Sequence, residues 1–153
     1  MNETHFRHFY SSISGIYRDI QQIRSYFAPK LNIKSVHVFW IFLLDNHPEG
    51  MIASQLATES ETTRSLVSRE IKELVNQGFV MYEENPCKNA YARKLLLTER
   101  GKEAAKYIDA VAMKVQSEIS KDIPKEDLAV FYKVLDQLMS GFDEYIEHIG
   151  EKK

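Results

Sequence analysis

The stretch Met51–Thr98 constrains this chain most, because its hydrophobic spacing changes period within a few turns of chain. MIASQLATES reads as a short helix, followed by a tight break and a second helix. In that second helix Val67, Ile71, Leu74 and Val75 fall at helical spacing and form a core-facing stripe. The opposite face carries Arg64, Ser65, Ser68, Arg69 and Lys72, all hydrogen-bond donors. Gly78 follows the last turn, where a left-handed cap suits glycine. Phe79-Val80-Met81-Tyr82 and Lys94-Leu95-Leu96-Leu97 then read as the strands of a hairpin, with Asn85, Pro86, Lys88 and Asn89 at its tip. Helix, turn, helix and hairpin make a winged helix-turn-helix, whose shape fits a DNA major groove with the hairpin alongside.

Size and charge bound what surrounds this stretch. The chain has 153 residues, 44% of them hydrophobic, which suits a single domain with its own core. No apolar run reaches the roughly 18–20 residues that span a bilayer. The first residues lack the charged, apolar, small-residue order of an export signal. A lone cysteine cannot form an intramolecular disulfide, so a reducing, cytoplasmic setting is expected. The net charge of -2 counts mildly against nucleic-acid binding, and Glu61, Glu70, Glu73, Glu83 and Glu84 sit among the central cations.

The flanks are helical and amphipathic. Phe6, Phe9, Ile13, Ile16, Ile20, Ile23 and Phe27 alternate steps of three and four, a heptad seam that Tyr10 and Tyr17 widen. Pro29 ends this helix by restricting Ala28. A second helix, about 34–45, contains VHVFWIFLL and is apolar on every side, so it should be covered all round. Val36, Phe39, Trp40, Leu43 and Leu44 are its expected core anchors. Beyond the hairpin, Ala104, Ile108, Val111, Ala112, Val115 and Ile119 mark a fifth helix. Pro124 opens a sixth, carrying Leu128, Phe131, Leu135, Leu138, Phe142, Tyr145 and Ile149. Two heptad-like helices at opposite ends suggest a dimer interface, with Phe6, Phe9, Ile13, Ile16, Leu135, Leu138, Phe142 and Tyr145 as its contacts. The expected class is mainly α: one domain over residues 1–153, with dimerisation helices at about 4–28 and 99–149 around a winged helix-turn-helix at about 33–98.

This order of elements resembles the MarR family of bacterial transcriptional regulators over nearly the whole chain. MIASQLATES stands for the supporting helix, TTRSLVSREIKELVNQGFV for the recognition helix, and KLLLTERGKEA for the exit from the wing. The spacings from Leu97-Thr98 to Gly101, and from Leu74 to Gly78-Phe79-Val80, are the more specific parts. The resemblance implies a homodimer on a roughly palindromic operator, usually repressing, which in many members a small molecule or oxidant releases. A ligand pocket between the long helices and the reading lobe would draw on Tyr17, Arg24, His37 and Trp40.

Each DNA contact has its own physical case. Thr62 or Thr63 can cap the recognition helix, whose free N–H groups favour a nearby phosphate. Arg64, Ser65, Ser68 and Arg69 lie along the first two exposed turns, where an arginine can pair bidentately with guanine. Lys72, a turn further on, suits phosphate. The competing reading is a solvated face with Arg69 paired to Glu73. At the wing the sequence departs from the family, whose tip commonly carries Asp and then Arg. Those places hold Asn89 and Tyr91, so either Lys88 or Arg93 supplies a groove cation or the wing contacts only backbone.

Other chemistry finds little support. Cys87 has no neighbouring pattern that clearly activates it. His5 with His8, and His148 among Glu144, Glu147 and Glu151, stop short of a closed ligand set, so neither metal nor cofactor is expected. No glycine-rich phosphate loop or hydrolase pattern points to an enzyme. A winged-helix module that binds protein and reads no DNA is the remaining alternative, and the modest charge fits it.

Overall fold

The computed structural model describes residues 3–84 and 93–150. Helix α1 (Glu3–Phe27) runs into a single 3-10 turn (Ala28–Leu31), then α2 (Ser35–Asn46), α3 (Ala53–Glu59) and α4 (Arg64–Asn76). Strands β1 (Val80–Tyr82) and β2 (Leu95–Leu97) precede α5 (Glu99–Ser120) and α6 (Lys125–Gly150). The expected mainly helical class with a small hairpin is therefore what forms. Contacts divide the chain into two compact units, 1–111 and 112–153, so the boundary falls inside α5.

The core of the first unit reaches from Ala28 to Ala105. Trp40, Ile41, Leu44, Met51, Leu56, Val67, Ile71, Leu74, Val80 and Leu95 are all fully buried. The apolar stripe expected on α4 is buried at Val67, Ile71 and Leu74 and half-buried at Val75. Two expectations for α2 need correction. Val36 and Phe39 pack only on the margin of the core, and Phe42 is exposed. Phe39 and Phe42 stack on each other at 6.1 Å and 12°, joining the half-buried Phe39 to the exposed Phe42 along the side of α2.

Two glycines allow the backbone to close around the hairpin. Gly50 adopts φ +80°, and a Cβ there would meet the Leu95 carbonyl oxygen at 2.9 Å. Only glycine accepts both conditions. Its backbone lets Met51 bridge Leu95 from the side opposite β1, with Met51 N–H donating to Leu95 O at 3.1 Å and Leu95 N–H to Met51 O at 2.8 Å. On the other side β1 and β2 pair antiparallel, Val80 with Leu97, Met81 with Leu96 and Tyr82 with Leu95.

The Thr98–Gly101 spacing has a structural cause. The Thr98 hydroxyl donates to the Gly78 carbonyl at 2.5 Å and accepts the Gly101 N–H at 3.1 Å, capping α5 while tying it to the end of α4. Gly101 sits so close to the chain above it that an added Cβ would lie 2.1 Å from the Phe79 carbonyl oxygen.

The second unit is built of the end of α5 and of α6. Helix α6 buries none of its residues, and Leu128 and Leu135 are only half-covered. Phe131, Leu138, Phe142, Tyr145 and Ile149 remain exposed, as do Phe6, Ile13, Ile16 and Ile20 on α1. Both heptad stripes thus face outward in a single chain, and Phe9 is half-buried beside Phe6 at 6.5 Å.

Candidate nucleic-acid interface

The interface is organised by the turn that launches α4. Ser60 and Thr62 hydroxyls meet at 2.9 Å, and Glu61 takes a left-handed φ of 52° between them. Thr63 is the N-cap, accepting the Leu66 N–H at 3.2 Å, and its hydroxyl also meets Ser65 Oγ at 3.0 Å. Of the two threonines proposed as caps, Thr63 has that role.

With that start, the helical period sorts α4 cleanly. Thr63, Arg64, Ser65, Ser68, Arg69 and Lys72 are all exposed, and Val67, Glu70, Ile71 and Leu74 are buried behind them. A row of hydroxyls and cations therefore lines one side of the helix, held rigidly by the core on the other. Arg64 also borders a shallow depression with Ser54, Gln55, Thr58 and Glu59.

The Arg69–Glu73 pair considered as the alternative does not form. Arg69 Nε donates instead to Glu70 Oε1 at 3.0 Å, which fixes the stem of the guanidinium. Glu73 is held by Lys34, whose Nζ lies 2.6 Å from Glu73 Oε2 and 2.6 Å from Glu70 Oε2. His37 Nε2 points at the same Glu70 oxygen from 3.4 Å, and His37 Nδ1 accepts the Lys34 backbone N–H at 3.4 Å. This cluster joins the start of α2 to the recognition helix through charge.

Its protonation follows from those neighbours. Hydrogen bonds from Lys34 and Arg69 hold the Glu70 carboxyl at about 2, from an ordinary 4.5. Its bonds to Glu70 and Glu73 raise Lys34, and burial pushes His37 below its ordinary 6.5. In both Glu70 and His37 the folded chain takes up protons less readily than the unfolded chain. Stability is then complete above about pH 6.5 and falls on acidification, first through His37 and below about 4.5 through Glu70. Glu70→Gln is expected to flatten the lower step, which is on the order of 1–2 kcal/mol once screening at the half-exposed Lys34 is counted. Urea midpoints from about pH 7 to pH 3 test this. A variant that loses stability below pH 4.5 as steeply as the parent would contradict it.

At the wing, Arg93 is turned inward. Its Nε donates to the Glu83 carbonyl at 3.1 Å and its guanidinium lies 5.1 Å over the Tyr82 ring, so it braces the root of the hairpin. Lys88, Asn89, Tyr91 and Cys87 lie outside the described residues.

The four residues suggested for a ligand pocket separate into two pairs. Tyr17 is exposed, and Arg24 is half-buried with its guanidinium 4.9 Å over Phe39. His37 and Trp40 are both fully buried, ring to ring at 5.7 Å, and offer an aromatic effector no ring face. The reason is the pitch of α2, which turns Phe39 and Phe42 outward and these two inward. Phe39, half-buried under the Arg24 guanidinium, stacks on the exposed Phe42.

No family model matches the sequence, and no curated protein matches it. Solved structures do match the fold over most of the chain. A Staphylococcus aureus MarR in complex with salicylate and kanamycin superposes with a TM-score of 0.80 at 17% identity, covering 93% of this chain and 95% of that one. A MarR family protein from Bacillus stearothermophilus gives 0.78 at 13% identity, covering 94% and 99%. A putative MarR family transcriptional regulator from Listeria monocytogenes, complexed with 26mer DNA, gives 0.70 at 19% identity, covering 86% of each chain. Helix order, hairpin and near-complete coverage agree: this chain has the fold of the MarR-family transcriptional regulators.

Proposed function

We propose that this protein is a DNA-binding transcriptional regulator, a homodimer that represses from a roughly palindromic operator and is released by a small-molecule effector. The observation that carries the reading is the row Thr63, Arg64, Ser65, Ser68, Arg69 and Lys72, exposed along the first turns of a helix whose back is buried. Groove-reading helices need that combination of a rigid back and a donor-rich front. Ser65, Ser68 and the arginines supply base-edge donors, and Lys72 and the helix start suit phosphate. Lys88, which the sequence puts in the loop between the two strands and which lies outside the described residues, is the remaining groove cation of this reading, because Arg93 is committed to the root.

Self-association rests on the two uncovered stripes. An apolar seam of this length on a single chain calls for a partner surface, and a second copy offers the matching one. The effector reading rests on Arg24 over the half-buried Phe39, with the exposed rings of Tyr17 and Phe42, a cation and aromatic rings suited to an aromatic acid. The salicylate bound in the Staphylococcus aureus relative has that chemistry. The reading is of a binder, not a catalyst.

The decisive experiment selects bound duplexes from a random pool at near-physiological salt. An enriched inverted repeat, with half-sites about 10 base pairs apart centre to centre, is the expected result. A dimeric protein that enriches nothing would favour the protein-interaction module, which the net charge of -2 also fits.

A further inference from the structure

The His37–Glu70–Glu73 cluster has more ligand character than its role in folding requires. One donor atom from each residue lies within 4.8 Å of the other two, a grouping of one imidazole and two carboxylates. His37 is fully buried, and its Nε2 has no hydrogen-bond partner although it is aimed at Glu70. A buried nitrogen facing two carboxylates without a proper partner is costly unless something else occupies the space between them. At present the cation there is the Lys34 ammonium, 2.6 Å from both carboxylates, on a side chain that is 53% exposed.

The geometry points to an exchangeable site for a divalent transition-metal ion, held by His37 Nε2, Glu70 and Glu73, with Lys34 as the resident cation that the ion displaces. Imidazole with two carboxylates suits zinc-like ions and disfavours magnesium, which prefers an all-oxygen shell and keeps its water. Ligation uses the carboxylate form of both glutamates and the unprotonated Nε2 of His37, so uptake should release protons where these groups are protonated. Metal–ligand bonds of about 2.0–2.2 Å require the three atoms to close up slightly. Glu73, at 38% side-chain exposure, has the freedom to do so. Lys34 swings to solvent, and water completes the shell. Binding through Nε2 places the ring proton on Nδ1 and gives up the long 3.4 Å cap bond to Lys34, a modest cost.

Two of the three ligands belong to α4, so an ion here would act directly on the helix that presents Arg69. That consequence rests on the DNA reading, whereas metal binding itself does not. The test is isothermal titration of the full chain with zinc chloride, with magnesium chloride as control, in a buffer free of chelators. One zinc per chain is expected, with no magnesium uptake. Glu73→Gln should weaken zinc binding by at least about tenfold, and Lys34→Met should tighten it by a similar factor, because it removes the competing cation without removing a ligand. His37→Gln, checked by circular dichroism for an intact fold, should abolish the site. Zinc uptake indifferent to Glu73→Gln and His37→Gln would overturn the proposal and move the ion to an exposed group such as His47 with Glu49 and Glu59. Absence of uptake, or weaker binding in Lys34→Met, would also overturn it. If zinc binds as described but leaves duplex affinity unchanged, the site stands and only its link to DNA fails.

Discussion

Gly101→Ala is expected to lower the unfolding free energy by about 3 kcal/mol, the upper range for forcing an added methyl into a filled site. The sign is not obvious, since alanine is the better helix former by about 1 kcal/mol and Gly101 lies inside α5. Space decides it. The new Cβ would stand 2.1 Å from the Phe79 carbonyl oxygen and 3.0 Å from Leu97 Cδ2. That oxygen cannot yield easily, because it accepts the Thr98 N–H at 3.0 Å and anchors the turn between α4 and the hairpin. Thermal melting should fall by roughly 6–12 °C for a chain of this size. Gly78→Ala is the control. Its Cβ would meet nothing within 4 Å, so only the left-handed backbone at φ +75° opposes it, at about 1–2 kcal/mol. If the two variants melt alike, steric closure at Gly101 is not what limits this part of the fold.

Arg69→Ala carries the largest functional effect. Its side chain is 72% exposed, and the bond from Nε to Glu70 holds the stem while leaving the two outer nitrogens as a fork. Loss of a bidentate contact to guanine removes about 1–3 kcal/mol of discrimination, or roughly a 5- to 150-fold fall in affinity for the enriched duplex. Random duplex should lose much less under the same salt. Fluorescence anisotropy on both duplexes at one ionic strength measures the difference. Arg69→Lys sharpens it, since a point charge serves phosphate nearly as well but cannot form the fork. Equal losses on both duplexes would make Arg69 a backbone contact and return base reading to Arg64 and Ser68.

Most of the scaffold was legible because helical period and breakers act locally. The stripe on α4, the glycine after its last turn and the hairpin runs all appear where their spacing places them. The exposed donor row follows from the same period. What sequence did not reveal was Glu70. Its position belongs to the inward side of α4, and only its charge argued for the surface. Besides its neighbour Arg69, the group that satisfies it is Lys34, more than thirty residues earlier and beyond any local pattern. Trp40, Leu43 and Leu44 anchor the core as expected, whereas Val36 and Phe39 reach only its margin, for a related reason. On a helix apolar all round, composition does not say which side faces inward, and packing alone turned Phe42 outward.

The double pairing of β2 has a consequence for how this protein behaves at high concentration. A strand with a free edge is a template for joining other chains into extended sheets. Here Met51 occupies one side of β2 at Leu95 and β1 occupies the other. The edge left at β1 is three residues long and is followed at once by the acidic Glu83 and Glu84. So short and charged an edge is a poor seed for fibrous aggregation, even in a chain that displays so many aromatic side chains on its helices. If copies of this protein associate through their helices, as proposed, the assembly should therefore dissolve on dilution, as side-chain contacts do, and leave no β-rich precipitate behind.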